Sequence, residues 1–144
     1  MRLKVMSEKI SESPNIQTAI AQLSASPSDA NRSVLYQALK YGQLFLAARS
    51  IPEEWTRGPV RLESATTVSL LTSSGPDGRE ALLAFTSHED VQKRSRNSAS
   101  FSMRSRDVLA LILESGFSAL VLNPAGPWAY IPRKDIEKIL ENAS

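Results

Sequence analysis

A short apolar run that ends in a rigid turn is the feature that most constrains this fold. Leu120-Val121-Leu122 is followed directly by the turn sequence Asn123-Pro124-Ala125-Gly126-Pro127. Asn can bond local backbone groups through its side chain, and Pro fixes φ while offering no amide donor. Gly126 permits a positive φ or the close approach of another backbone. The pattern predicts a buried strand that stops abruptly.

This turn has two interpretations. As a structural element it is a rigid stop before a short edge strand at residues 128–131. As a functional element it borders a ligand groove, because open sheets often bind ligands at the carboxyl ends of their strands. Asn123, Pro124 and Gly126 are therefore candidate binding residues.

Capping signals predict two helices near the start of the chain. Residues 1–12 are polar and aperiodic, and we expect a flexible N-terminus there. Ser13-Pro14 matches an N-cap followed by Pro at the first helical position, and apolar residues follow at helical spacing. A second cap at 26–29 precedes another apolar stripe, with Gly42 placed to end that helix. The second stripe consists of Ala30, Val34, Leu35, Ala38 and Leu39.

The middle of the chain has the composition of strands. Residues 44–48 form a compact apolar run that suits a buried strand. The stretch 50–65 has two prolines, a glycine and mixed charges, and it predicts a long connection. Apolar runs at 66–72 and 79–85 flank the sequence Gly-Pro-Asp-Gly, which favours a hairpin.

A Ser-x-x-acid start at 87–90 predicts a short helix that ends near Arg94. Residues 95–103 have no apolar period, and we expect them to be irregular. The apolar residues at 107–113 then predict a helix packed deeply on a sheet.

The remaining elements set the fold class. Residues 119–122 predict a buried strand, and 133–142 predict a final helix with one apolar face. Helices and strands mix without strict β-α-β alternation. The sequence therefore predicts a single α+β domain over residues 13–144, with a central mixed sheet of about five strands flanked by helices.

Composition narrows the class of protein. The 144 residues suffice for one ordinary domain, and 42% hydrophobic and 22% charged content is that of a globular chain. The formal net charge of +2 is far below that of a dedicated nucleic-acid binder. Without Cys, the chain has no thiolate nucleophile or cysteine metal site. It shows no secretory signal and no run near the ~20 apolar residues of a membrane span, so we expect a cytoplasmic location and no membrane association.

Known catalytic motifs are incomplete in this sequence. His88-Glu89 begins the helical zinc pattern His-Glu-x-x-His, but Gln92 stands at the second His position. The six glycines form no nucleophile elbow, dinucleotide fingerprint or phosphate loop. A Ser–His or Ser–Lys pair assembled from distant residues would escape this search. We expect no metal and no cofactor.

The most basic part of the chain, residues 93–106, is called the basic segment below. It contains five cations, five serines, one aromatic residue and no acid. One interpretation is a loop that binds a polyanion, in which the cations neutralise phosphates and the aromatic ring stacks on a base. The other is a solvated connection between two helices. Its candidate binding residues are Arg94, Arg96, Phe101, Arg104 and Arg106.

The two tryptophans have different expected roles. We expect Trp128 to cap the core, because a buried strand and a rigid turn precede it. Trp55 lies in the long connection, and it is the better candidate for an exposed contact with a partner.

Several of these segments, taken in order, resemble the SseB family, specifically its N-terminal domain. The resemblance is carried by an early helix, the strand at Leu44–Ala48, the hairpin, Phe85-Thr86-Ser87, a helix at Asp107-Val108-Leu109 and Leu120–Pro124 with the helix after it. It covers roughly residues 30–142. The resemblance implies an α+β fold and an accessory or regulatory role, and it brings no catalytic residues with it. Many family members carry a second domain after this one, so a function located there does not transfer to these residues.

Three hypotheses for function follow. The first is a non-enzymatic domain that binds another protein or a second copy of itself. The second is a polyanion or nucleic-acid binder that uses the basic segment, and steep salt dependence of binding would distinguish it from the first. The third is a hydrolase with a dispersed site, which would require a deep pocket with a perturbed carboxylate or Lys.

Overall fold

The computed structural model describes residues 2–5, 12–48, 59, 66–75, 78–96 and 98–141. Its helices are α1 Pro14–Ala25, α2 Asp29–Leu39, α3 His88–Arg94, α4 Ser105–Ser115 and α5 Arg133–Glu141. Its strands are β1 Arg2–Val5, β2 Gln43–Ala47, β3 Thr66–Ser69, β4 Thr72–Ser74, β5 Glu80–Ala84, β6 Ser100–Arg104, β7 Ala119–Leu122 and β8 Ala129–Pro132. The predicted α+β class is confirmed, and no described helix is both long and apolar enough to span a bilayer.

The described strands pair into three ladders. The largest is a mixed sheet with the order β4-β5-β7-β8, in which β5 and β7 are parallel and the other neighbours antiparallel. β2 pairs with β6 and β1 pairs with β3, both antiparallel. Phe45 and Phe85 exchange backbone hydrogen bonds of 2.7 and 2.9 Å, which join β2 to the end of β5. The predicted single sheet of about five strands is met only loosely, because the described strands form ladders of two, two and four strands, and 66–69 pairs with β1 instead of joining the largest sheet.

The first helix begins where its sequence predicts. α1 starts at Pro14 and buries Ile16, Ala19 and Ile20. Ser13 occupies the N-cap position, but its hydroxyl oxygen accepts a hydrogen bond from the backbone N–H of Gln43 at 2.7 Å instead of from its own helix. The predicted cap therefore attaches the start of α1 to β2.

The second helix buries only part of the apolar stripe that the sequence predicts for it. α2 buries Leu35 and Leu39, whereas Val34 is half exposed and Ala30 is exposed. The prediction of Ala30 and Val34 as core residues is wrong because they face away from the sheet that α1 and α2 cover together. α2 also ends at Leu39, before Gly42.

Gly42 has a packing role rather than the predicted helix-ending role. A Cβ atom at this position would collide with the side chain of Ile16 and lie 3.1 Å from Ser13 Oγ. Glycine is therefore required by the close approach of α1 to the backbone that enters β2.

The predicted hairpin is confirmed for its inner part. β4 and β5 pair in register from Thr72 opposite Leu82 to Ser74 opposite Glu80. The N–H of Gly75 donates to the carbonyl of Arg79 at 2.8 Å and closes the turn. Residues 66–69 pair with β1 instead of β5. The connection at 50–65 lies outside the described residues except for Pro59, which bridges to Ser100.

Two strands lie where the sequence predicts none. The sequence predicts a flexible N-terminus over residues 1–12, but residues 2–5 form β1 and pair with β3. The sequence predicts irregular structure over residues 95–103, but β6 begins at Ser100 and pairs with β2 along its whole length. Ser102 is fully buried in β6, and its hydroxyl donates to Gln43 Oε1 at 2.7 Å. A hydrogen-bonded hydroxyl can be buried, so a serine-rich stretch is not necessarily a loop.

The core occupies both sides of the sheet. The larger cluster packs the helices on one face and includes Leu44, Leu46, Leu82, Leu120 and Phe101. The smaller cluster lies on the opposite, outer face and consists of Phe45, Ala47, Leu83, Phe85 and Val91, with Leu71 and Val121 packed against it. The alternation of neighbouring residues between these clusters follows the two-residue period of a strand.

Helices α4 and α5 match their predicted positions, and Arg133 connects them. Its guanidinium donates to the carbonyls of Ile112, Leu113 and Phe117 at 3.1, 2.7 and 3.0 Å. Gly116 adopts a left-handed conformation with φ of 78° and ends α4. The last carbonyls of a helix have no partner within it, so Arg133 stabilises the end of α4.

Ser105 links the start of α4 to the end of α2. Its buried hydroxyl oxygen contacts the carbonyl of Leu39, lies 3.0 Å from the carbonyl of Gly42 and accepts from the N–H of Gly42 at 3.2 Å. Its backbone N–H also donates to the carbonyl of Gly42 at 2.8 Å. One small side chain thus satisfies backbone groups from another part of the chain.

We expect Ser105→Ala to lower the free energy of unfolding by about 1–3 kcal/mol, because buried groups lose their partner. Urea denaturation followed by circular dichroism measures this change. Ser33→Ala, at an exposed position of α2, is the matched control and should stay within about 0.5 kcal/mol of wild type. Equal effects of the two substitutions would contradict the assigned role of Ser105.

Tyr36 of α2 and Asp135 of α5 form the contact that joins these helices. The Tyr36 hydroxyl donates to Asp135 Oδ2 at 2.7 Å. Burial raises the pKa of Tyr36 well above its ordinary value, and the hydrogen bond and the charge of Asp135 raise it further. The nearby cation Arg32 acts in the opposite direction.

We expect an ultraviolet titration of tyrosinate to contain a component that ionises above the ordinary tyrosine pKa of about 10. Because the folded pKa is raised, the stabilisation from this contact is complete below about pH 10 and is lost as pH rises through the folded pKa. Tyr36→Phe should remove the late component. A late component that persists in Tyr36→Phe would show that another residue produces it.

Candidate functional site

The carboxyl ends of the parallel strands β5 and β7 meet at Asn123. This residue adopts a positive φ of 51°, which Asn tolerates better than most residues. Its backbone N–H donates to the carbonyl of Ala84 at 2.9 Å. Its side chain then bonds Thr86 twice: Oδ1 accepts from the Thr86 N–H at 3.0 Å, and Nδ2 donates to Thr86 Oγ1 at 2.9 Å. Asn123 therefore fastens the end of one strand to the end of its neighbour.

The same network continues into α3. The hydroxyls of Thr86 and Ser87 both donate to Asp90 Oδ2 at 3.0 Å. Ser87 caps α3 by accepting from the Asp90 N–H at 3.1 Å, as its sequence predicts. Lys93 lies 3.5 Å from Asp90 Oδ1. Each of the side chains named here thus has a partner within the network.

A cleft of about 190 Å³ opens beside this network, between α1 and the Asn123 turn. It is lined by Gln17, Ile20, Ala21, Thr86, Asp90, Asn123 and Pro127. Ligand pockets usually occupy about 300–1,000 Å³, and the polar groups of this cleft already bond one another. Pro124 and Gly126 lie in the turn but do not line the cleft. The hydrogen bonds of Asn123 thus have a structural role, since they hold the ends of β5 and β7 together. We call this set of contacts the latch.

Most of the basic segment is regular structure: it includes the end of α3, strand β6 and the start of α4, with a short connection between α3 and β6. Phe101 has no exposed surface and belongs to the main core cluster. The prediction that Phe101 stacks on a nucleic-acid base is therefore wrong, because the alternation of β6 places this ring beneath the helices.

The cations of the basic segment divide into two groups. Arg94 and Arg96 are exposed before β6, whereas Arg104 and Arg106 are exposed where β6 meets α4. A strand rises about 3.3 Å per residue, so the ends of β6 lie roughly 13 Å apart. Arg104 Nε also bonds Asp107 Oδ2 at 2.9 Å. The structure does not bring the four arginines into one continuous patch.

One Ser–His contact assembles from distant residues. His88 Nδ1 lies 2.7 Å from Ser100 Oγ, and His88 Nε2 lies 3.0 Å from Gln92 Nε2. Nothing in the sequence predicts this pair, because β6 is not evident from its pattern. Ser100 has no exposed surface, so its hydroxyl cannot reach a substrate carbonyl. The contact holds α3 against β6. Within the described ranges, no group of three or more His, Cys, Asp or Glu could hold a metal ion.

Trp128 and Tyr130 are two exposed aromatic residues at β8: Tyr130 lies on the outer face of this strand, and Trp128 directly precedes it. Trp128 is 56% exposed and Tyr130 is 54% exposed, and the half-buried Val121 lies opposite Tyr130 in β7. We call these three residues the aromatic edge. The prediction that Trp128 caps the core is wrong, because odd-numbered Ala129 and Ile131 take the inward positions of β8. Trp55, the other predicted contact, lies outside the described residues.

The aromatic edge borders the largest described cleft. Its volume is about 810 Å³, and it crosses the outer face of β4, β5, β7 and β8. Its lining residues are Ser73, Gly75, Arg79, Ala81, Ser118, Val121, Tyr130, Pro132 and Arg133. Sequence reasoning missed this surface, although the two-residue period of Trp128 and Tyr130 in a predicted edge strand was the available signal.

The fold and this surface define a small α+β domain with a mixed sheet, in which α1, α2, α4 and α5 pack on one face and α3 contributes Val91 to the cluster on the other. The family model described as SseB protein N-terminal domain matches residues 16–138. The chain therefore belongs to the SseB family, as its sequence resemblance predicted. Comparison with curated proteins and with solved structures gives no match.

The latch at Asn123 makes a prediction about stability. We expect Asn123→Ala to lower the free energy of unfolding by about 2–4 kcal/mol, because it removes two hydrogen bonds and strains a positive φ. Asn123→Gly keeps the backbone conformation and should cost about 1–2 kcal/mol. Urea denaturation measures both values, with Asn15→Ala at an exposed position of α1 as control. Equal stability of Asn123→Ala and wild type would contradict the latch.

Proposed function

We propose that this chain is a non-enzymatic accessory domain that binds another protein, and that the aromatic edge is its contact surface. The observation that carries the proposal is the contrast among its aromatic residues. Phe45, Phe85, Phe101 and Phe117 are fully buried, whereas Tyr130 in β8 and Trp128, the residue directly before β8, remain more than half exposed. The cytoplasmic location predicted from the sequence is part of this proposal.

The aromatic edge has the properties of an interaction surface. Trp and Tyr dominate the energetics of protein interfaces because they bury large areas and lose little conformational entropy. Here Tyr130 projects from β8, whose backbone is held by β7, and Trp128 directly precedes that strand. The adjoining cleft of about 810 Å³ gives a partner side chain a place to enter.

The polar clusters support a role without catalysis. At the sheet end, Asp90 and Asn123 are occupied by their hydrogen bonds to Thr86 and Ser87. The Ser100 hydroxyl next to His88 is completely buried. Neither cluster presents a nucleophile or a general base to the largest cleft.

Polyanion binding is the second candidate. Its support is the exposure of Arg94 and Arg96 at the end of α3, next to Lys93. The burial of Phe101 and the separation of these arginines from Arg104 and Arg106 favour the first candidate. Charge reversal of Arg94 and Arg96 should therefore leave partner binding unchanged.

The test is a capture experiment from native lysate with purified protein, divided into nuclease-treated and untreated halves and quantified by mass spectrometry. We expect a stoichiometric protein partner that survives nuclease treatment and is lost, by at least about tenfold, with the double variant Trp128→Ser/Tyr130→Ser. Tyr41→Ser is the matched control, because Tyr41 is 84% exposed on another surface.

The outcomes separate the two candidates. Partners that disappear on nuclease treatment would contradict the first candidate and favour polyanion binding. Partners retained by Trp128→Ser/Tyr130→Ser would contradict the aromatic edge as the contact surface. Equal losses in the Tyr41→Ser control would point to non-specific adhesion of exposed rings.

A further inference from the structure

The largest described cleft owes its shape to the register of the four-stranded sheet. One row of paired residues on the outer face has short side chains: Ser73, Ala81, Ala119 and Pro132. The next row on this face contains the larger Val121 and Tyr130. Residues two apart on a strand share a face, so Val121 and Tyr130 form an apolar wall beside the shorter side chains.

Two arginines line the cleft on the other side of the row of short side chains. Arg79 is exposed directly before β5, and Arg133 begins α5 directly after β8. Only β7 separates β5 from β8, so the backbones of the two arginines lie two strand spacings, or roughly 10 Å, apart. Among the described residues that line the cleft, these two are the only charged ones, and both are cations.

Two carboxylates lie near these arginines without lining the cleft. Glu80 follows Arg79 in the chain, but even-numbered residues of β5 face the helices, and Glu80 Oε1 lies 3.4 Å from Thr72 Oγ1. Glu137 Oε1 lies 3.8 Å from Arg133 Nε, which is longer than a hydrogen bond. Both acids are therefore placed beside the cleft and not inside it.

The guanidinium of Arg133 is held in place before any ligand binds. Its bonds to the carbonyls of Ile112, Leu113 and Phe117 use three of its five N–H groups and leave Nε–H and one Nη2–H. The side chain is 37% exposed. A fixed guanidinium loses little conformational entropy when it binds a carboxylate. Arg133 is therefore a preorganised anchor for an anionic group.

We propose that this cleft receives an acidic side chain of the partner protein, together with an apolar side chain next to it in the same segment. This inference rests on the proposed function and names the chemistry of the partner. The acidic side chain pairs with Arg133 and is attracted by the charge of Arg79. The apolar side chain packs against Val121 and Tyr130, which belong to the aromatic edge.

The combination of charge and apolar wall favours a protein segment over other anions. Double-stranded nucleic acid is usually held by a longer series of cations, whereas this cleft has two. A free inorganic anion would contact the arginines and leave Val121 and Tyr130 uncovered. The cleft crosses four strands, or roughly 14 Å, which an extended segment of about four or five residues covers. Charge complementarity requires that this segment be acidic.

Binding of defined peptide pools to the purified full chain tests this inference. The peptides are about nine residues long, twice the length needed to cross the cleft, and both ends are blocked to remove terminal charges. One pool fixes Glu beside Leu at its centre, and two matched pools replace Glu by Gln or Lys. Mass spectrometry quantifies the retained peptides. We expect retention of the Glu pool at least about fivefold above that of the Gln pool, and the Lys pool lowest.

Two variants with matched controls locate the binding. Arg79→Glu should lower the ratio of Glu-pool to Gln-pool retention at least about threefold, because a like charge then lies near the bound carboxylate. Arg106→Glu, at another exposed arginine, should leave the ratio unchanged. Ser73→Trp fills the cleft and should lower retention of the Glu pool at least about fivefold. Ser74→Trp, at the next exposed residue of β4 but on the opposite face, should not.

Circular dichroism confirms that each variant is folded. Arg133 is left unchanged in these experiments because it also stabilises the end of α4. Equal retention of the Glu, Gln and Lys pools overturns the acidic occupant. A preference for Glu that persists in both Arg79→Glu and Ser73→Trp overturns the cleft as its site.

The lysate capture separates this inference from the proposed function. If the protein partner is lost with Trp128→Ser/Tyr130→Ser but retained with Arg79→Glu and Ser73→Trp, the proposed function stands and the acidic contact in the cleft is overturned. If the partner is retained with Trp128→Ser/Tyr130→Ser, the aromatic edge fails as the contact surface. A preference for Glu that disappears in Ser73→Trp would then still support the cleft as an acidic-peptide site.

Discussion

The junction between Phe45 and Phe85 is the constraint on which the rest of this structure depends. Two backbone hydrogen bonds there join the β2–β6 ladder to the four-stranded sheet. Neither ladder alone could cover the helices, because β2 and β6 supply Leu44, Leu46 and Phe101 to the same core cluster as Leu82 and Leu120. The junction also buries both phenylalanine rings on the opposite face. A local break at this position would therefore expose apolar surface on both sides of the sheet at once.

Hydroxyl groups explain how a serine-rich chain fills this core. Ser100, Ser102 and Ser105 have no exposed surface, yet each has a hydrogen-bond partner from another element. Within the described residues, no buried side-chain nitrogen or oxygen lacks a partner. Such contacts bind α3, β2 and α2 to the β6–α4 connection. The same small side chains that suggest solvent exposure in the sequence thus act as specific links in the interior.

Local signals in the sequence were sufficient to predict some helices and strands and insufficient to predict others. The capping residues Ser13 and Ser87 located two helix starts, and the turn at Asn123 located the end of a buried strand. β1 and β6 were missed because each is defined by pairing with a distant strand. The prediction of Phe101 as a binding residue was wrong for the same reason, because its ring is buried by the pairing of β6. Long-range pairing decides which side of a strand meets the core, and composition does not reveal it.

The aromatic rings fall into two groups, one that stabilises the core and one that is exposed and available for interaction. The four phenylalanines are completely buried, whereas the exposed Trp128 and Tyr130 each have a polar atom that can remain hydrated. Pro132 closes one end of the β8 edge at no cost to β7 pairing. Because β8 is short and ends in Pro132, its edge resists the indefinite strand addition that leads to aggregation.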